Sequence, residues 1–196
     1  MNEQMNIGSG LGLAACPGIA LAHHFMGNDV PRTFVEGFLS GLGHPLIGLD
    51  HLAFIVAAGF FLALIPRGAW GIAALIGGSL AGAALHLAGL DVPGSEAAVA
   101  LSVVLIGGLV IARRRIDFDW VMGGIAIAGM LHGHAYAESI FGAEPAPLVA
   151  YLLGFSVIQL ALASAAFLIH RHLPKQVSMA VGAAVGAIGL MFLVGA

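Results

Sequence analysis

Six apolar runs, each near the length needed to cross a membrane, occupy most of this chain. They lie at 46–65, 69–89, 97–112, 118–138, 147–169 and 176–195. About 20 apolar residues in a helix span a hydrocarbon core of about 30 Å. Because lipid offers no hydrogen bonds, the backbone must be paired inside the protein, which helices achieve. The sequence therefore predicts an all-α, polytopic membrane protein, a bundle of about six transmembrane helices.

The composition agrees with a protein surrounded by the lipid bilayer. Apolar residues make up 60% of the chain and charged residues 9%, against roughly 25% charged residues in a soluble domain. The seven Lys and Arg residues are dispersed, which excludes a nucleic-acid-binding surface. Cys16 is the only cysteine, which excludes a disulfide framework and a thiolate metal cluster.

The first 22 residues resemble a secretory signal. An apolar stretch ends in Ala20-Leu21-Ala22, which is typical of a cleavage site. No Lys or Arg precedes the stretch, so an uncleaved anchor is an alternative, and a lipoprotein signal at Cys16 is a weaker one. We predict a signal peptide in 1–22 and a single transmembrane helical domain over 23–196.

Basic residues predict the orientation of the bundle. Arg67 lies between the first and second runs, three arginines at 113–115 between the third and fourth, and Arg171 and Lys175 between the fifth and sixth. Only Arg32 falls on the opposite side. Since basic loops stay in the cytoplasm, we predict an N-terminus outside and a location in the bacterial cytoplasmic (inner) membrane.

Residues 44–51 read H-P-L-I-G-L-D-H at the mouth of the first apolar run. Imidazoles and a carboxylate are costly there and usually mark an ion or substrate path. The residue before a proline disfavours helical geometry, so we expect a helix break at His44-Pro45, with 33–43 as a short amphipathic extension. Without a break, His44 and His51 would lie about 10 Å apart and would form a relay of two sites.

Seven of the nine histidines map to the outer side of this topology, together with two acids. Glu138 follows His134 by four residues and shares its helix face, whereas His132 and His134 are about 200° apart and suit different sites unless Gly133 distorts the helix. We predict an outward-facing cation site built from His23, His24, His44, Asp50, His51, His86, His132, His134 and Glu138. His170 and His172 are expected to be solvated residues of an inner loop.

These residues also have structural interpretations. His86 could be an interfacial hydrogen-bonding group, Asp50 and His51 a stabilising pair, and the residues at 132, 134 and 138 an interhelical polar contact. As a metal site, imidazole with carboxylate favours nickel, cobalt, copper or zinc over magnesium or calcium. The predicted inner half of the path is nearly apolar. Its few polar candidates are Ser79, Ser102, Ser156 and Gln159.

Two small-residue spacings, Gly78-x-x-x-Gly82 and Gly182-x-x-x-Gly186, are typical of close contacts between membrane helices. They are also compatible with a homo-oligomer. No G-x-x-x-x-G-K-[ST] loop for nucleotide phosphates occurs in the sequence. Energy for a transport function would therefore come from the membrane potential.

The segment 44–51 resembles the hallmark H-P-x-x-G-x-D-H of the HupE/UreJ family of nickel and cobalt permeases, and it matches at His44, Pro45, Gly48, Asp50 and His51. A second family pattern, H-G-H-A-H-G-x-E, is similar to the segment from His132, in which Tyr136 replaces the third histidine, Ala137 replaces the second glycine and the acid is Glu138.

The resemblance implies uptake of Ni²⁺, or of Co²⁺, by a protein that is not an enzyme and holds no prosthetic group. It leaves the choice of metal open, Zn²⁺ included. The apolar inner half keeps other classes open as well: an intramembrane zinc-dependent hydrolase, which needs no path across the membrane, and a metal-sensing or accessory membrane protein.

Overall fold

The computed structural model describes residues 30–114 and 116–196, and every regular element in them is a helix. The helices are α1 (Phe34–Ile47), α2 (Leu49–Leu62), α3 (Trp70–Leu87), α4 (Ser95–Ala112), α5 (Phe118–Glu138), α6 (Pro145–His170) and α7 (Lys175–Gly195). The predicted all-α fold is therefore confirmed. The predicted signal in 1–22, with His23, His24 and Arg115, lies outside the described residues.

The burial of side chains is the reverse of that in a soluble protein. Trp120 is 78% exposed and Leu105 58% exposed, whereas His132 and Gln159 are 1% and 0% exposed. Apolar groups on the outside and polar groups inside suit a chain surrounded by lipid, because intramembrane polar groups face the bundle interior. The chain is a multi-pass membrane protein.

The predicted spans correspond to helices, with one span divided in two. Helices α3, α4, α6 and α7 are each long and apolar enough to cross a membrane, and α1 with α2 would form a fifth span that bends by 78°. Helix α5 has 21 residues, which suffices in length. It is less apolar than the others because it carries two histidines, two acids and several glycines.

The bend lies at Gly48, so the predicted break at His44-Pro45 is wrong. Pro45 falls in the last turn of α1, where its missing N–H costs only one intrahelical bond. The helix closes normally beyond it, since the Gly48 N–H donates to the His44 carbonyl at 3.1 Å. Gly48 then adopts an extended conformation (φ −69°, ψ 102°), and α2 starts in a new direction.

Helix α1 begins after Thr33 because the sequence supplies a capping box there. The Thr33 hydroxyl accepts the Glu36 N–H at 3.1 Å, and the Glu36 carboxylate accepts the Thr33 N–H at 3.2 Å. Each side chain satisfies a backbone donor that the first helical turn leaves unpaired. The predicted extension at 33–43 is thus a full helix that continues to Ile47.

The two halves of the bent span run beside one long helix, α6. Gly41 of α1 lies against the backbone of Tyr151, and Gly59 of α2 lies against Ala163. Because both positions advance in the same direction, α1 lies beside the first half of α6, and α2, after the 78° bend, leads towards its second half. The break at Gly48 is therefore level with the middle of α6, and 44–51 lies deeper than the predicted entrance.

The same contacts bring the basic residues to one end of the bundle. Helices α2 and α6 lead towards the same end of the bundle, so Arg67 and Arg171, which follow them, lie on the same side. Gly107 of α4 packs against Gly182 of α7, and these helices are antiparallel. Arg113, at the end of α4, is therefore on the side where α7 begins.

Glycines allow α3 and α5 to touch backbone to backbone. Gly78 and Gly82 lie against the carbonyls of Ala126 and Met130, and Gly133 of α5 lies against Ser79 of α3. The predicted contact role of the Gly78-x-x-x-Gly82 spacing is thus realised within one chain. This contact also fixes the level of the histidines on either side of Gly133.

We predict that Gly133→Ala destabilises the protein, because a Cβ at this position would collide with the backbone of Ser79. Overpacking of this kind costs about 1–3 kcal/mol. Thermal unfolding of the detergent-solubilised protein measures the loss. The matched control is Gly123→Ala on the same helix, where an added Cβ meets no atom within 4 Å. Equal unfolding temperatures for the two variants would contradict the packing argument.

Candidate metal-ion site

Three histidines from three helices meet beside the break at Gly48. The Nδ1 atoms of His51 and His132 are 2.8 Å apart, and the ring centroids of His44 and His51 are 5.6 Å apart. All three rings are at most 3% exposed. The break at Gly48 therefore brings together His44 and His51, which a straight helix would keep about 10 Å apart. We call His44, His51 and His132 the central cluster.

Ser102 determines which nitrogen of His132 carries the proton. The Ser102 hydroxyl donates its one hydrogen to the Val99 carbonyl at 2.7 Å, so it acts as an acceptor towards His132 Nε2 at 2.9 Å. The neutral His132 ring then carries its proton on Nε2, and its Nδ1 presents a lone pair to His51. A hydrogen bond of this kind on the outer nitrogen is typical of metal-binding histidines.

The separation of the two facing nitrogens suits a shared ion. Two nitrogens bound to one ion at about 2.0–2.1 Å, on adjacent coordination positions, lie roughly 2.8–3.4 Å apart. The 2.8 Å between His51 Nδ1 and His132 Nδ1 falls at the short end of this range. In the absence of an ion, one proton lies between them.

His44 is held by two hydroxyl groups. Its Nδ1 is 3.1 Å from Ser139 Oγ and 3.1 Å from the Tyr151 hydroxyl oxygen. The Tyr151 hydroxyl donates to the Tyr136 carbonyl at 2.7 Å, and Ser139 donates towards the same carbonyl or Tyr151. Both oxygens therefore accept from His44, and a neutral His44 ring has its lone pair on Nε2.

Asp50 lies at the start of α2 and is buried, with 7% exposure. Its Oδ1 accepts the backbone N–H of His51 at 2.9 Å. This bond satisfies one of the donors that a helix start leaves unpaired. It also places a negative charge in the same turn as the His51 ring, at the edge of the central cluster.

Glu138 is one residue out of register with the acid of the second family pattern. Counted from His132, the eight positions of H-G-H-A-H-G-x-E end at Ser139, one residue after Glu138. Ser139 is the residue that contacts His44. Glu138 is exposed at the end of α5, and no ion pair joins it to His134 within the described part of the chain. The joint binding of one ion by His134 and Glu138 stays a prediction.

Tyr136, at the position of the pattern's third histidine, also faces the central cluster. Its ring centroid is 4.7 Å from that of His51 and 5.2 Å from that of His44. The residue is fully buried. Its side chain therefore packs against the two rings but offers a phenol oxygen rather than an imidazole nitrogen.

His134 and His86 form a second group on another side of α5. His134 Nε2 is 3.3 Å from His86 Nδ1, and Asp91 completes a group whose ligand atoms all lie within 4.8 Å of one another. The single cation site predicted from the sequence is thus divided into two groups. Sequence reasoning missed Asp91, although the turn signal of Gly89 three residues after His86 indicated a chain reversal there.

A buried polar layer adjoins the central cluster. The Gln159 side chain of α6 contacts the Ser79 hydroxyl at 3.2 Å and lies beside the Tyr136 hydroxyl. The Tyr136 ring packs against His51, so the layer continues the polar interior of the bundle from the histidines.

The other predicted polar positions have different environments. Ser102 lies in the central cluster rather than the inner half of a path, and Ser156 donates to Leu152 of its own helix. Beyond Ser102, an apolar cavity of about 200 Å³ between α4 and α5 extends towards Ile116 and Trp120. The inner half of the bundle is thus mainly apolar, as predicted.

His170 is buried, so the expectation of a solvated residue is wrong. Its Nε2 is 2.9 Å from Ser178 Oγ, and its ring packs against Phe60. The residue joins the end of α6 to α7 and α2. His172 is exposed, as expected.

We predict that Tyr151→Phe destabilises the protein more than Tyr136→Phe does. The Tyr151 hydroxyl bonds the Tyr136 carbonyl and His44, and leaving buried partners unpaired costs about 1–3 kcal/mol. The Tyr136 hydroxyl lies beside the Gln159 amide without a close hydrogen bond, so its removal forfeits less. Thermal unfolding in detergent compares the two variants, and an equal loss in both would contradict this account of the site.

Comparison with known proteins agrees with the sequence patterns. The family described as HupE / UreJ protein matches residues 11–192. Protein HupE from Rhizobium leguminosarum bv. viciae is 28% identical over 197 residues, which cover 94% of this chain and 95% of that protein. No solved structure gives a significant match.

Proposed function

Because the chain belongs to the HupE/UreJ family, we propose that it imports Ni²⁺, or Co²⁺, into the cytoplasm through the central cluster. Members of this family are accessory proteins related to metal transport and are not enzymes. This agrees with the expectation that the chain has no catalytic role, and it argues against the zinc-hydrolase alternative.

The observation that carries the proposal is the broken span. Inside a membrane, an interrupted helix is tolerated where it lines a protein cavity, and transporters use such breaks to build ion sites. Here the break at Gly48 brings His44 and His51 to His132 in the buried centre of the bundle. A purely structural bundle gains nothing from an interrupted helix that buries three imidazoles.

The donor set supports a transition-metal cargo. Neutral imidazole nitrogens with a nearby carboxylate suit Ni²⁺, Co²⁺, Cu²⁺ and Zn²⁺, whereas Mg²⁺ and Ca²⁺ prefer oxygen shells. Asp50 supplies one negative charge against the two positive charges of the ion. The incomplete neutralisation favours release, because the ion is not held by a full set of charged ligands.

The orientation and location belong to the same proposal. The end of the bundle with Arg67, Arg113 and Arg171 faces the cytoplasm, the N-terminus is outside, and the membrane is the bacterial cytoplasmic membrane. His23 and His24 would receive the ion on the outer side. Two positive charges moving inward gain about 4.6 kcal/mol per 100 mV of membrane potential, which supports uptake without ATP.

The onward route passes the polar layer of Ser79, Gln159 and Tyr136. The Gln159 amide and the Tyr136 hydroxyl, which lie beside each other, can replace water around an ion that leaves the central cluster. Tyr136 packs against His51 as well, so such an ion meets this layer next.

We predict that cells producing the native chain accumulate radioactive nickel or cobalt, and that His51→Ala and Asp50→Ala abolish the accumulation. The first substitution removes a cluster nitrogen and the second its nearest carboxylate. Membrane levels are matched by immunoblot, and His172→Ala, at an exposed position, is the control. Absence of uptake of either metal by a correctly inserted native protein would refute the permease function.

We also predict that Gln159→Leu lowers the maximal uptake rate about tenfold or more, which corresponds to about 1.4 kcal/mol in the barrier. The fold should persist, because Ser79 keeps its bond to the Leu75 carbonyl at 3.0 Å. Ser156→Ala is the control, since that hydroxyl donates to the Leu152 carbonyl of the same helix. Unchanged uptake by the Gln159 variant would exclude this layer from the route.

A further inference from the structure

We propose that His86, Asp91, His134 and the Leu90 carbonyl form a second, separate metal-ion site at the outer end of α3, which loads ions from the external solution. The existence of this site does not depend on the transport function, whereas its loading role rests on the proposed function. We call these four groups the outer site.

The outer site is separate from the central cluster because the two use different sides of α5. His132 and His134 are two residues apart, which is about 200° around a helix. His132 contacts His51 of α2 and Ser102 of α4, whereas His134 contacts His86 of α3. One ion therefore cannot bind to both groups.

A glycine turn at the end of α3 builds the outer site. Gly89 adopts a left-handed conformation with φ of +79°. Its N–H donates to the His86 carbonyl at 2.8 Å, and the Leu90 N–H donates to the Leu85 carbonyl at 3.1 Å. This paired pattern, a Schellman motif, reverses the chain. The reversal returns the Leu90 carbonyl and Asp91 to the histidines.

The distances within the outer site suit one ion. His86 Nδ1 is 3.3 Å from His134 Nε2 and 3.5 Å from Asp91 Oδ1, and the Leu90 carbonyl oxygen is 3.1 Å from His134 Nε2. Ligand atoms on adjacent positions of a transition-metal ion lie roughly 2.8–3.4 Å apart. Two nitrogens and two oxygens thus already stand close to the spacing that coordination requires.

Charge and exposure also fit a site for external cations. The Asp91 side chain is 82% exposed and that of His86 13% exposed, whereas His134 is 4% exposed. An ion can therefore exchange water for Asp91 first and for the imidazoles afterwards. The carbonyl end of α3 adds a partial negative charge, which favours a cation.

The buried nitrogen of His134 indicates that the site releases its ion readily. Without an ion, Nε2–H donates to the Leu90 carbonyl. An ion at Nε2 moves that proton to Nδ1, which is buried with no partner among the described residues. Metal-binding histidines usually have an acceptor at this nitrogen, and its loss weakens binding. Weak binding suits a loading site rather than a storage site.

Equilibrium dialysis of Co²⁺ or Ni²⁺ against the detergent-solubilised full chain tests the site directly, with the visible absorption of bound Co²⁺ as a second readout. We expect Asp91→Asn to lower the affinity of one class of bound ion about tenfold or more. Glu144→Gln, an exposed carboxylate at the start of α6, should change nothing. Asp91→Asn with native affinity, stoichiometry and absorption would overturn the outer site.

Uptake separates this inference from the permease function. Loading predicts that Asp91→Asn raises the metal concentration for half-maximal uptake about tenfold and leaves the maximal rate unchanged. A reduced maximal rate alone would overturn the loading role. Binding that depends on Asp91 in a protein without uptake would refute the permease and retain the site. Normal uptake with no Asp91-dependent binding would retain the permease function and refute the outer site.

Discussion

The structure depends on an interrupted helix whose backbone ends must be satisfied inside a membrane protein. Water is not available there to pair the N–H and C=O groups of a break, so the surrounding chain must do so. The Gly48 N–H closes the last turn of α1 on His44, and the Asp50 carboxylate accepts the His51 N–H at the start of α2. The residues that stabilise the 78° bend are therefore the residues of the hallmark motif. The segment 44–51 therefore both stabilises the bend and supplies the proposed metal ligands.

Close helix contacts determine which side chains of the neighbouring helices contact this segment. Gly41 allows α1 to lie against the backbone of Tyr151, and the Tyr151 hydroxyl then contacts His44. Gly133 does the same for α5 against Ser79 of α3, and thereby sets the height of the histidines on either side of it. A larger residue at either position would separate the helices by more than hydrogen bonds between side chains can span. The glycines thus position the polar side chains, although they have no functional group of their own.

The sequence predicts the helices well because a run of apolar residues of the right length has few alternatives in lipid. It also identifies His44, His51, His86, His132 and His134 as candidates. The position of the break was missed because a proline in a last helical turn costs little, while a glycine at the following turn permits the extended backbone. Ser102 and Tyr151 could not be assigned, since their roles follow from contacts between helices, where residues distant in sequence meet without any local pattern. The role of Asp91 depends on one chain reversal, for which Gly89 is the only local signal.

The hydroxyl groups around the central cluster resolve a conflict that buried histidines create. A charged imidazole in the bundle interior is costly without a partner, yet a metal ion requires a neutral nitrogen with a lone pair. The Ser102 hydroxyl donates a hydrogen bond to the Val99 carbonyl and accepts one from His132 Nε2–H, which leaves the lone pair of His132 Nδ1 to face the ion. Tyr151 treats His44 in the same way through the Tyr136 carbonyl. Burial disfavours the charged form of both rings, and these hydroxyls fix the nitrogen that each neutral ring presents. The positive charge therefore enters the centre with the ion rather than with a proton.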